Sequence, residues 1–353
     1  MNWKNQLTQL LQLDYPIIQA PMYGVSTPQM VASAAKAGCL GSLALGDLPA
    51  EKCIEQIQLT KKLCKETFAV NIFVHEIPTI TEDLKIKYNK TKQFIEQLST
   101  QYKLEVHLPA FEDIQLSAYH NQVDALIDED CKIVSFTFGN LDDATIQKFK
   151  AANTILIGTC TSVAEAKILE SSGIDIICVQ GIEAGGHRGS FNAKDIPEIG
   201  GFSLLAQVCE QVSIPIIYAG GIYNAKTLLA AKALGAQGFQ LGSAFIASTE
   251  SALKQIEKDK LKVVNEKEIV LTNSFSGRYA RGIKNAFIET LEGTDFILPY
   301  PYQNKLTGEL RRIAKQNENL DFVSIWLGQS IHNFSTQSVT EILKSIITET
   351  EKS

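Results

Sequence analysis

The sequence lacks the features of membrane and secreted proteins. No uninterrupted apolar run approaches the ~20 residues that a membrane-spanning helix needs. The N-terminal stretch MNWKNQLTQLLQLDYP has no apolar core of the secretory type. The seven cysteines are odd in number and include no C-x-x-C pair, so neither a disulfide framework nor a zinc site is indicated. These absences predict a soluble protein of the reducing cytoplasm that binds no membrane and no metal.

Several nucleotide-binding and catalytic signatures are also missing. No G-x-G-x-x-G follows a strand-like segment, so a Rossmann dinucleotide site is unsupported, and no Walker A, H-E-x-x-H or G-x-S-x-G occurs. Lys and Arg total 33 against 39 Asp and Glu, which gives a net charge of −6. This mild acidity argues against a nucleic-acid partner, although it leaves room for a local basic pocket that binds a small anion.

What the sequence does contain is a series of short apolar segments, each of strand length and bounded by turn residues. Such segments are typical of strands that are buried on both faces of a sheet. Eight are found, at 16–22, 39–45, 68–74, 133–139, 154–160, 174–181, 215–222 and 238–245.

Helix signals separate most of these segments. Three helices are predicted to begin at a capping residue and to stop at a glycine just before the next strand: from Thr27 to Gly38, from Ser162 to Gly173 and from Asn224 to Gly235. Pro28 suits a first helical position, and Glu165 stands at capping-box spacing from its cap. The alternation predicts an α/β fold with a parallel sheet, and eight units favour a (β/α)8 TIM barrel. An open doubly wound sheet is the alternative, because periodicity does not show closure.

Two long stretches interrupt this alternation. One lies between the third and fourth strands and the other follows the eighth, so both leave from the face of the barrel where active sites are built. We expect them to pack together as a lid. The predicted barrel comprises 1–75, 131–249 and 325–353, and the predicted lid comprises 76–130 and 250–324.

Residues at the carboxyl ends of the predicted strands are candidate site residues. The first, third and sixth strands contribute Met22, Asn71 and Gln180. A buried amide satisfied by backbone groups is the ordinary explanation for Asn71 or Gln180 taken alone. Their shared position at one barrel mouth favours a site.

Glycine-bearing loops follow the last two strands. In TIM barrels these loops often bind phosphate, because backbone N–H groups and a helix N-terminus attract an anion and glycine allows close approach. Tight turns alone would explain either glycine pair, but their joint occurrence favours a phosphorylated cofactor. The candidate residues are Gly220, Gly221, Gln240, Leu241, Gly242 and Ser243.

A glycine-rich segment, GIEAGGHRGSF at 181–191, follows the sixth strand and carries His187. Its glycines, Gly185 among them, suit a loop lying against a flat ligand. Histidine titrates near neutral pH, so His187 is the candidate catalytic base. An exposed loop histidine is the alternative. The other histidines, at 75, 107, 120 and 332, are interpreted as surface or core residues.

Taken in order, PIIQAPMYGVSTPQMV, VNIFV, VQGIEAGGHRG, IIYAGGI, QLGSAF and LTNSFSGRYARG resemble the nitronate monooxygenases. The resemblance runs from about residue 14 to the tail. VQGIEAGGHRG and SGRYARG are its specific parts, since AGGI occurs in many phosphate-binding barrels.

The resemblance implies a non-covalent FMN and oxidation of anionic nitronates by O2 to a carbonyl compound and nitrite. It assigns His187 as the base that deprotonates neutral nitroalkanes and holds the nitronate near the flavin. The residues implied to contact FMN are Met22, Asn71, Gln180, Gly185, Gly221 and the run from Gln240 to Ser243. Should His187 not be the base, Arg278, Tyr300 and Tyr302 are the next candidates.

One position departs from the family pattern, which has SFHFG where this chain reads SFTFG with Thr137. This departure leaves the use of neutral nitroalkanes open. The alternatives are a flavin-containing enoyl-acyl-carrier-protein reductase, an NAD(P)H:quinone reductase, a phosphate-binding barrel without flavin, and a non-catalytic flavin carrier. The sequence is compatible with a homo-oligomer and does not fix the oligomeric state.

Overall fold

The computed structural model describes residues 2–331 and 333–353 and contains a barrel of eight parallel strands. Each predicted strand is present, within the predicted bounds or one residue beyond them. The barrel strands are β1 (Ile17–Gln19), β2 (Ser42–Gly46), β3 (Ala69–Phe73), β4 (Ile133–Thr137), β5 (Ile155–Cys160), β6 (Ile176–Gln180), β8 (Ile216–Ala219) and β9 (Gly238–Leu241).

Closure of the barrel is visible at its first and last strands. β1 pairs with β9 in parallel, and a parallel bridge between Ile18 and Leu40 joins β1 to the segment that leads into β2. The parallel order confirms the TIM-barrel prediction over the open sheet. Most strand positions are buried, as expected for strands covered on both faces. Six of the seven cysteines are buried among them or in the surrounding core.

Helices surround the barrel and extend beyond it. Their bounds are α1 (Gln6–Leu11), α2 (Pro28–Ala35), α3 (Ala50–Leu63), α4 (Glu82–Gln101), α5 (His120–Asp128), α6 (Asp143–Ala151), α7 (Val163–Ser171), α8 (Gly201–Cys209), α9 (Ala225–Ala233), α10 (Gln255–Leu261), α11 (Ala286–Leu291), α12 (Tyr302–Gln316) and α13 (Val339–Lys352). α13 packs between α9 and α2 and completes the outer ring.

The predicted helix boundaries are confirmed, with one correction. Thr27, Ser162 and Asn224 cap α2, α7 and α9, and the three terminal glycines have positive φ angles. The capping box predicted for Glu165 does not form. Its carboxylate instead accepts from the Thr161 and Phe191 N–H groups, at 2.6 and 2.8 Å. These two bonds tie the loop after His187 to the start of α7.

The N-terminal ends of the strands are closed by α1. Leu7 and Leu11 are buried against Ile18, Ile176 and Ile217 at the bottom of the barrel interior. The Trp3 indole N–H donates to Glu351 at 3.0 Å, which joins the two ends of the chain. This face of the barrel is therefore packed shut, and the opposite face is left for the site.

A small antiparallel sheet and two insertions cover the carboxyl ends of the strands. The sheet contains β10 (Ile269–Thr272), β11 (Ala280–Ile283) and β7 (Gly186–His187), in that order. Within the insertions α4 packs on α12, and the Phe94 and Phe296 rings stack at 4.2 Å. α5 lies in the outer ring between α3 and α6. None of the helices in the described part of the chain is long and apolar enough to cross a membrane.

Candidate active site

His187 lies in β7, at the edge of the small sheet above the barrel. The pairing of His187 with Ala280 of β11 fixes its backbone over the carboxyl ends of the strands. The rings of Phe73, Phe138 and Trp326 surround the imidazole, with centroids 5.5–6.3 Å from its own. Its Nε2 lies 2.8 Å from the Ser276 hydroxyl. The imidazole is therefore held in an apolar enclosure at the mouth of the barrel.

This enclosure keeps the His187 side chain neutral. Burial first of all, and then the charges of Arg278 and Arg311, lower the pKa of His187 to about 3, whereas Asp47 acts in the opposite direction. A neutral imidazole has a free lone pair at physiological pH, which a general base requires. The site thus supplies the protonation state that the predicted role needs.

Arginine is concentrated around this mouth. The chain has five arginines, and only Arg312 lies on the surface, in an ion pair with Glu309. In the described part of the chain the other four, Arg188, Arg278, Arg281 and Arg311, form no ion pair with a carboxylate. Buried charges are ordinarily paired. Four guanidinium groups without an ion-pair partner among the described residues give this mouth an excess of positive charge.

Two of these arginines lie near His187. Arg278 stands over the Phe138 ring at 4.2 Å and donates to the Ser190 carbonyl. Burial lowers the pKa of Arg278 to about 10, so it stays charged at neutral pH. Arg311 of α12 donates to the Asn304 carbonyl at 2.9 Å, and burial also lowers its pKa.

The other two arginines hold the histidine loop, residues 181–191. Arg188 is 1% exposed and donates to the carbonyls of Gly181 and Gln180 at 2.6 and 3.0 Å. Arg281 donates to the next carbonyl, that of Ile182, at 2.9 Å. Three successive carbonyl oxygens thus accept from guanidinium groups, and the loop has one defined conformation.

Gln180 fastens the same loop through its side chain. Its amide nitrogen donates to the His187 carbonyl at 3.1 Å, and its amide oxygen accepts from the Gly189 N–H at 2.8 Å. This is the backbone-satisfied amide that the sequence offered as the ordinary explanation. Contact between Gln180 and a cofactor stays a prediction.

Asp47 and Lys305 form an ion pair beside the mouth, at 2.7 Å. Asp47 directly follows β2 and is 4% exposed, and Lys305 comes from α12. The pair therefore connects α12 to the end of β2. It also places the one carboxylate that opposes the arginines in their effect on the pKa of His187.

The two predicted glycine loops come together at the mouth. Gly220 and Gly221 have φ angles of +131° and +69°, which favour glycine, and Gly221 turns the chain toward α9. Gly242 lies across from Met22, since a Cβ on it would be 3.7 Å from the Met22 sulfur. A cavity of about 360 Å³ borders the Gly220–Gly221 pair and the start of α8.

Residues 327–331 form a strap across these loops. Gly328 N–H donates to the Ser243 hydroxyl at 3.1 Å, and the Ser330 hydroxyl donates to the Gly221 carbonyl at 3.3 Å. Gly185 lies against the strap so closely that a Cβ would be 2.5 Å from the Gly328 nitrogen. The strap therefore joins the histidine loop to both glycine loops.

The remaining predicted contacts occupy different environments. Asn71 is buried in β3 and donates to the Ser135 hydroxyl at 2.9 Å. Gln240 in β9 is partly buried, and its side chain has no hydrogen-bond partner among residues 2–331 and 333–353. Leu241 is 1% exposed and packs in the core, so only its backbone is near the loops.

Of the two tyrosines considered as alternatives, only Tyr300 is near His187. Its ring lies 5.6 Å from that of Phe138, whereas Tyr302 stacks on Phe111 inside the lid. Thr137 ends β4 beneath the histidine loop, where a Cβ on Gly189 would meet its hydroxyl at 2.8 Å.

Among the other histidines, His75 is buried against Tyr300, whereas the residues at 107 and 120 are exposed. The histidine at 332 lies outside the described residues.

The sequence analysis missed several residues of the site, among them Asp47, Ser276, Lys305 and Arg311. Asp47 had a signal, because it follows the second predicted strand directly. Ser276, Lys305 and Arg311 lie in the β10–β11 turn and in α12, where no barrel strand end marks the mouth and only the tertiary structure brings them to it.

Comparison with known proteins identifies the family. The model of the nitronate monooxygenase family matches residues 4–349. A protein of Staphylococcus aureus (strain JH9) named "probable nitronate monooxygenase" is 37% identical over 352 residues, which cover 98% of this chain and 96% of the relative.

Solved structures show the same relationship. Nitroalkane oxidase from Streptomyces ansochromogenes superposes with a TM-score of 0.88 at 32% identity, over 99% of this chain and 98% of that one. FabK from Thermotoga maritima superposes with a TM-score of 0.76 at 25% identity, over 99% and 97%. The resemblance found in the sequence is confirmed: the chain belongs to the nitronate monooxygenase family, a family of flavin-dependent oxidoreductases.

Proposed function

We propose that this protein is an FMN-dependent nitronate monooxygenase. It oxidises alkyl nitronates, such as propionate 3-nitronate, with O2 to a carbonyl compound and nitrite. The observation that carries the proposal is the neutral His187 in a mouth whose arginines form no ion pair with a carboxylate among residues 2–331 and 333–353. A nitronate is an anion formed by loss of a proton, so such a mouth suits both its formation and its binding.

FMN is the proposed flavin because the site offers one phosphate cradle. The cradle consists of the turns at Gly220–Gly221 and Gly242–Ser243, with α9 beginning directly after the first of them. Gly186 has φ +75°, and a Cβ on it would meet nothing within 4 Å, which leaves space for a flat ring beside the loop. The free amide of Gln240 is available to the same group. We propose Met22, Asn71, Gln180 and Gly185 as further contacts.

The chain's own groups divide the work at the substrate. When bound, FMN would supply the redox chemistry between the substrate and O2. His187 takes the α-proton of a neutral nitroalkane, and Arg278 and Arg311 stabilise the resulting anion. The rings of Phe138 and Trp326 limit the access of water, which strengthens these electrostatic interactions.

The division into barrel and lid is part of the proposal. The barrel would comprise 1–75, 131–249 and 325–353, and the lid 76–130 and 250–324, except that α5 packs in the outer ring of the barrel. The packing of α4 on α12 supports a common lid. The free cysteines support a reducing cytoplasmic location.

Nitrite release tests the function directly. Purified enzyme, loaded with FMN, should consume O2 and release nitrite when a nitronate is added without any nicotinamide nucleotide. His187→Asn with full flavin should release nitrite from a nitronate at a similar rate but much more slowly from the neutral nitroalkane, which ties proton removal to the mouth. The absence of nitrite with every alkyl nitronate tried would refute the proposal.

A flavin-dependent enoyl reductase is the second candidate, because the fold also matches FabK over nearly the whole chain. A reductase needs NAD(P)H as electron donor. Anaerobic mixing with NADH or NADPH separates the two functions: flavin bleaching at a rate that matches turnover would favour the reductase, and slow or absent bleaching favours the oxidation of nitronates.

A further inference from the structure

The hydroxyl of Ser276 connects His187 to the turn between β10 and β11. Ser276 is 1% exposed, and its oxygen has three polar neighbours. These are the His187 Nε2 at 2.8 Å, the Arg278 carbonyl oxygen at 2.9 Å and the Arg278 N–H at 3.3 Å. A serine hydroxyl has one proton to donate and two lone pairs that accept, so these three neighbours use its full capacity.

The chemistry of the neighbours determines where the single proton goes. The Arg278 carbonyl only accepts, and it has no other donor in the described part of the chain. If Ser276 donated to His187 instead, this buried carbonyl would be left unpaired, which typically costs about 1–3 kcal/mol. Ser276 therefore donates to the carbonyl and accepts from the imidazole. The Nε2 of His187 must then carry the proton.

The other imidazole nitrogen has no such partner. Among residues 2–331 and 333–353, none forms a hydrogen bond with Nδ1 of His187. A neutral imidazole with its proton on Nε2 has its lone pair on Nδ1. The geometry thus leaves Nδ1 as the nitrogen that is available to a substrate.

We propose that Ser276 is a positioning residue that holds His187 as the Nε2–H tautomer, so that Nδ1 is the atom that accepts the substrate proton. The role of the proton in catalysis rests on the proposed function, whereas the tautomer does not. In the proton transfer the Cα–H bond of a neutral nitroalkane breaks and its proton goes to Nδ1. The electron pair stays on the substrate as the nitronate, so nothing is oxidised in this step and no co-reactant is needed.

A hydroxyl has a different effect on the base than a carboxylate would. The charged groups that influence His187 come from three elements: Arg278 from the β10–β11 turn, Arg311 from α12 and Asp47 from the end of β2. Ser276 orients the ring without adding a negative charge. The ring therefore has a fixed orientation and stays unprotonated, which suits a base that must be free at neutral pH.

Nitrogen NMR of the FMN-loaded protein tests the tautomer. Long-range ¹H–¹⁵N spectra of protein labelled with ¹⁵N-histidine distinguish a protonated ring nitrogen from one with a lone pair. The chain has five histidines, and the spectrum of His187→Gln identifies the signals of His187. We expect the proton on Nε2 at neutral pH. A proton on Nδ1 in the unsubstituted protein would overturn the proposal, whether or not nitronates prove to be substrates.

Kinetics of Ser276 variants test the positioning role. Ser276→Ala should lower kcat/KM for a neutral nitroalkane by roughly 10- to 100-fold, because the ring loses its fixed orientation. Oxidation of the preformed nitronate should change little, and Ser276→Thr, which keeps the hydroxyl, should restore the nitroalkane reaction. Ser276→Ala with an unchanged tautomer and unchanged rates for both substrates would refute the role. If no variant or wild-type protein oxidises nitronates, the proposed function fails and the NMR result still decides the tautomer.

Discussion

The proposed role of His187 as a base is separable by experiment from its proposed role in binding. A neutral nitroalkane must lose its α-proton, whereas a nitronate arrives without it. General-base assistance typically contributes about 10²–10⁴-fold. We expect His187→Asn to slow the nitroalkane reaction by roughly that factor and the nitronate reaction much less, as measured by steady-state kcat/KM.

The comparison requires flavin-replete protein, since Gly185 and Gly186 belong to the same loop. It also requires measurable use of neutral nitroalkanes by the wild type, which Thr137 leaves open. Equal losses for both substrates would show that His187 binds or positions and is not the base.

The low pKa of His187 also affects stability. In the unfolded chain this side chain becomes protonated below about pH 6.5. In the folded protein burial lowers its pKa, so it becomes protonated only near pH 3. Between these values the unfolded state binds more protons, so the free energy of unfolding falls as the pH falls, by at most ~1.4 kcal/mol per pH unit. Above pH 6.5 the contribution does not change.

His187→Asn removes the titrating imidazole, so the variant is the control for the pH dependence of the wild type. From about pH 7 to about pH 5 the wild type should lose up to about 2 kcal/mol more than the variant, as measured by urea unfolding at equal flavin content. Parallel losses in the two proteins would place the imidazole in a more polar environment than the structure shows.

Substitutions at Gly221 test the proposed phosphate cradle at a single backbone position. Gly221→Asp places a carboxylate beside the proposed phosphate, and like charges about 4 Å apart repel by about 1–4 kcal/mol. Gly221→Ala is the matched control, because it introduces the same strain at φ +69° with its Cβ 3.5 Å from the nearest side-chain atom. We expect the Asp variant to bind FMN at least about 10-fold more weakly than the Ala variant, as measured by flavin fluorescence. Full FMN occupancy in Gly221→Asp would count against the placement.

The rule that active-site residues follow strand ends accounts for what the sequence revealed about the mouth. It selected Gln180 and the glycine pairs, and the structure gathers them around one loop. The rule could not select Ser276 and Arg311, since they lie in the β10–β11 turn and in α12. Their closeness to His187 depends on how the lid packs on the barrel, and a local sequence pattern carries no information about that packing.

At the level of elements, the barrel was predictable because each strand is a short apolar run with its own turn signals. The small sheet was missed. β7 has two residues, Gly186 and His187, and shows no periodicity of its own. Its pairing with β11 joins segments far apart in sequence. Short strands of this kind form because tertiary packing brings their backbones together, not because of local preference.

α12 offers a test of how the lid is attached. Lys305→Met leaves Asp47 buried without its partner, and breaking a buried ion pair in this way costs about 3 kcal/mol. We expect the free energy of unfolding to fall by about that amount in urea titrations. The double variant Asp47→Asn with Lys305→Met should recover part of the loss, because it removes the unpaired charge. Unchanged stability in Lys305→Met would mean that solvent already screens the pair.

For the whole molecule, the two faces of the barrel have different tasks. α1 closes the N-terminal face, far along the strands from His187, so defects there should affect stability alone. Leu7→Ala should cost about 2–5 kcal/mol, because Leu7 is fully buried. Leu10→Ala, on the exposed side of the same helix, is the control and should be nearly neutral. Flavin affinity and kcat should be unchanged in both; a loss of either in Leu7→Ala would show that the faces are coupled.

The strap at 327–331 has a consequence for the biogenesis of the enzyme. A ribosome finishes all eight barrel strands before it reaches residue 327, so a nascent chain has both glycine turns but none of the contacts from Gly328 and Ser330. If the two glycine turns hold the flavin phosphate as proposed, the strap would complete this cradle only after residue 330 has been synthesised and has crossed it. Flavin would then be bound most tightly by finished chains.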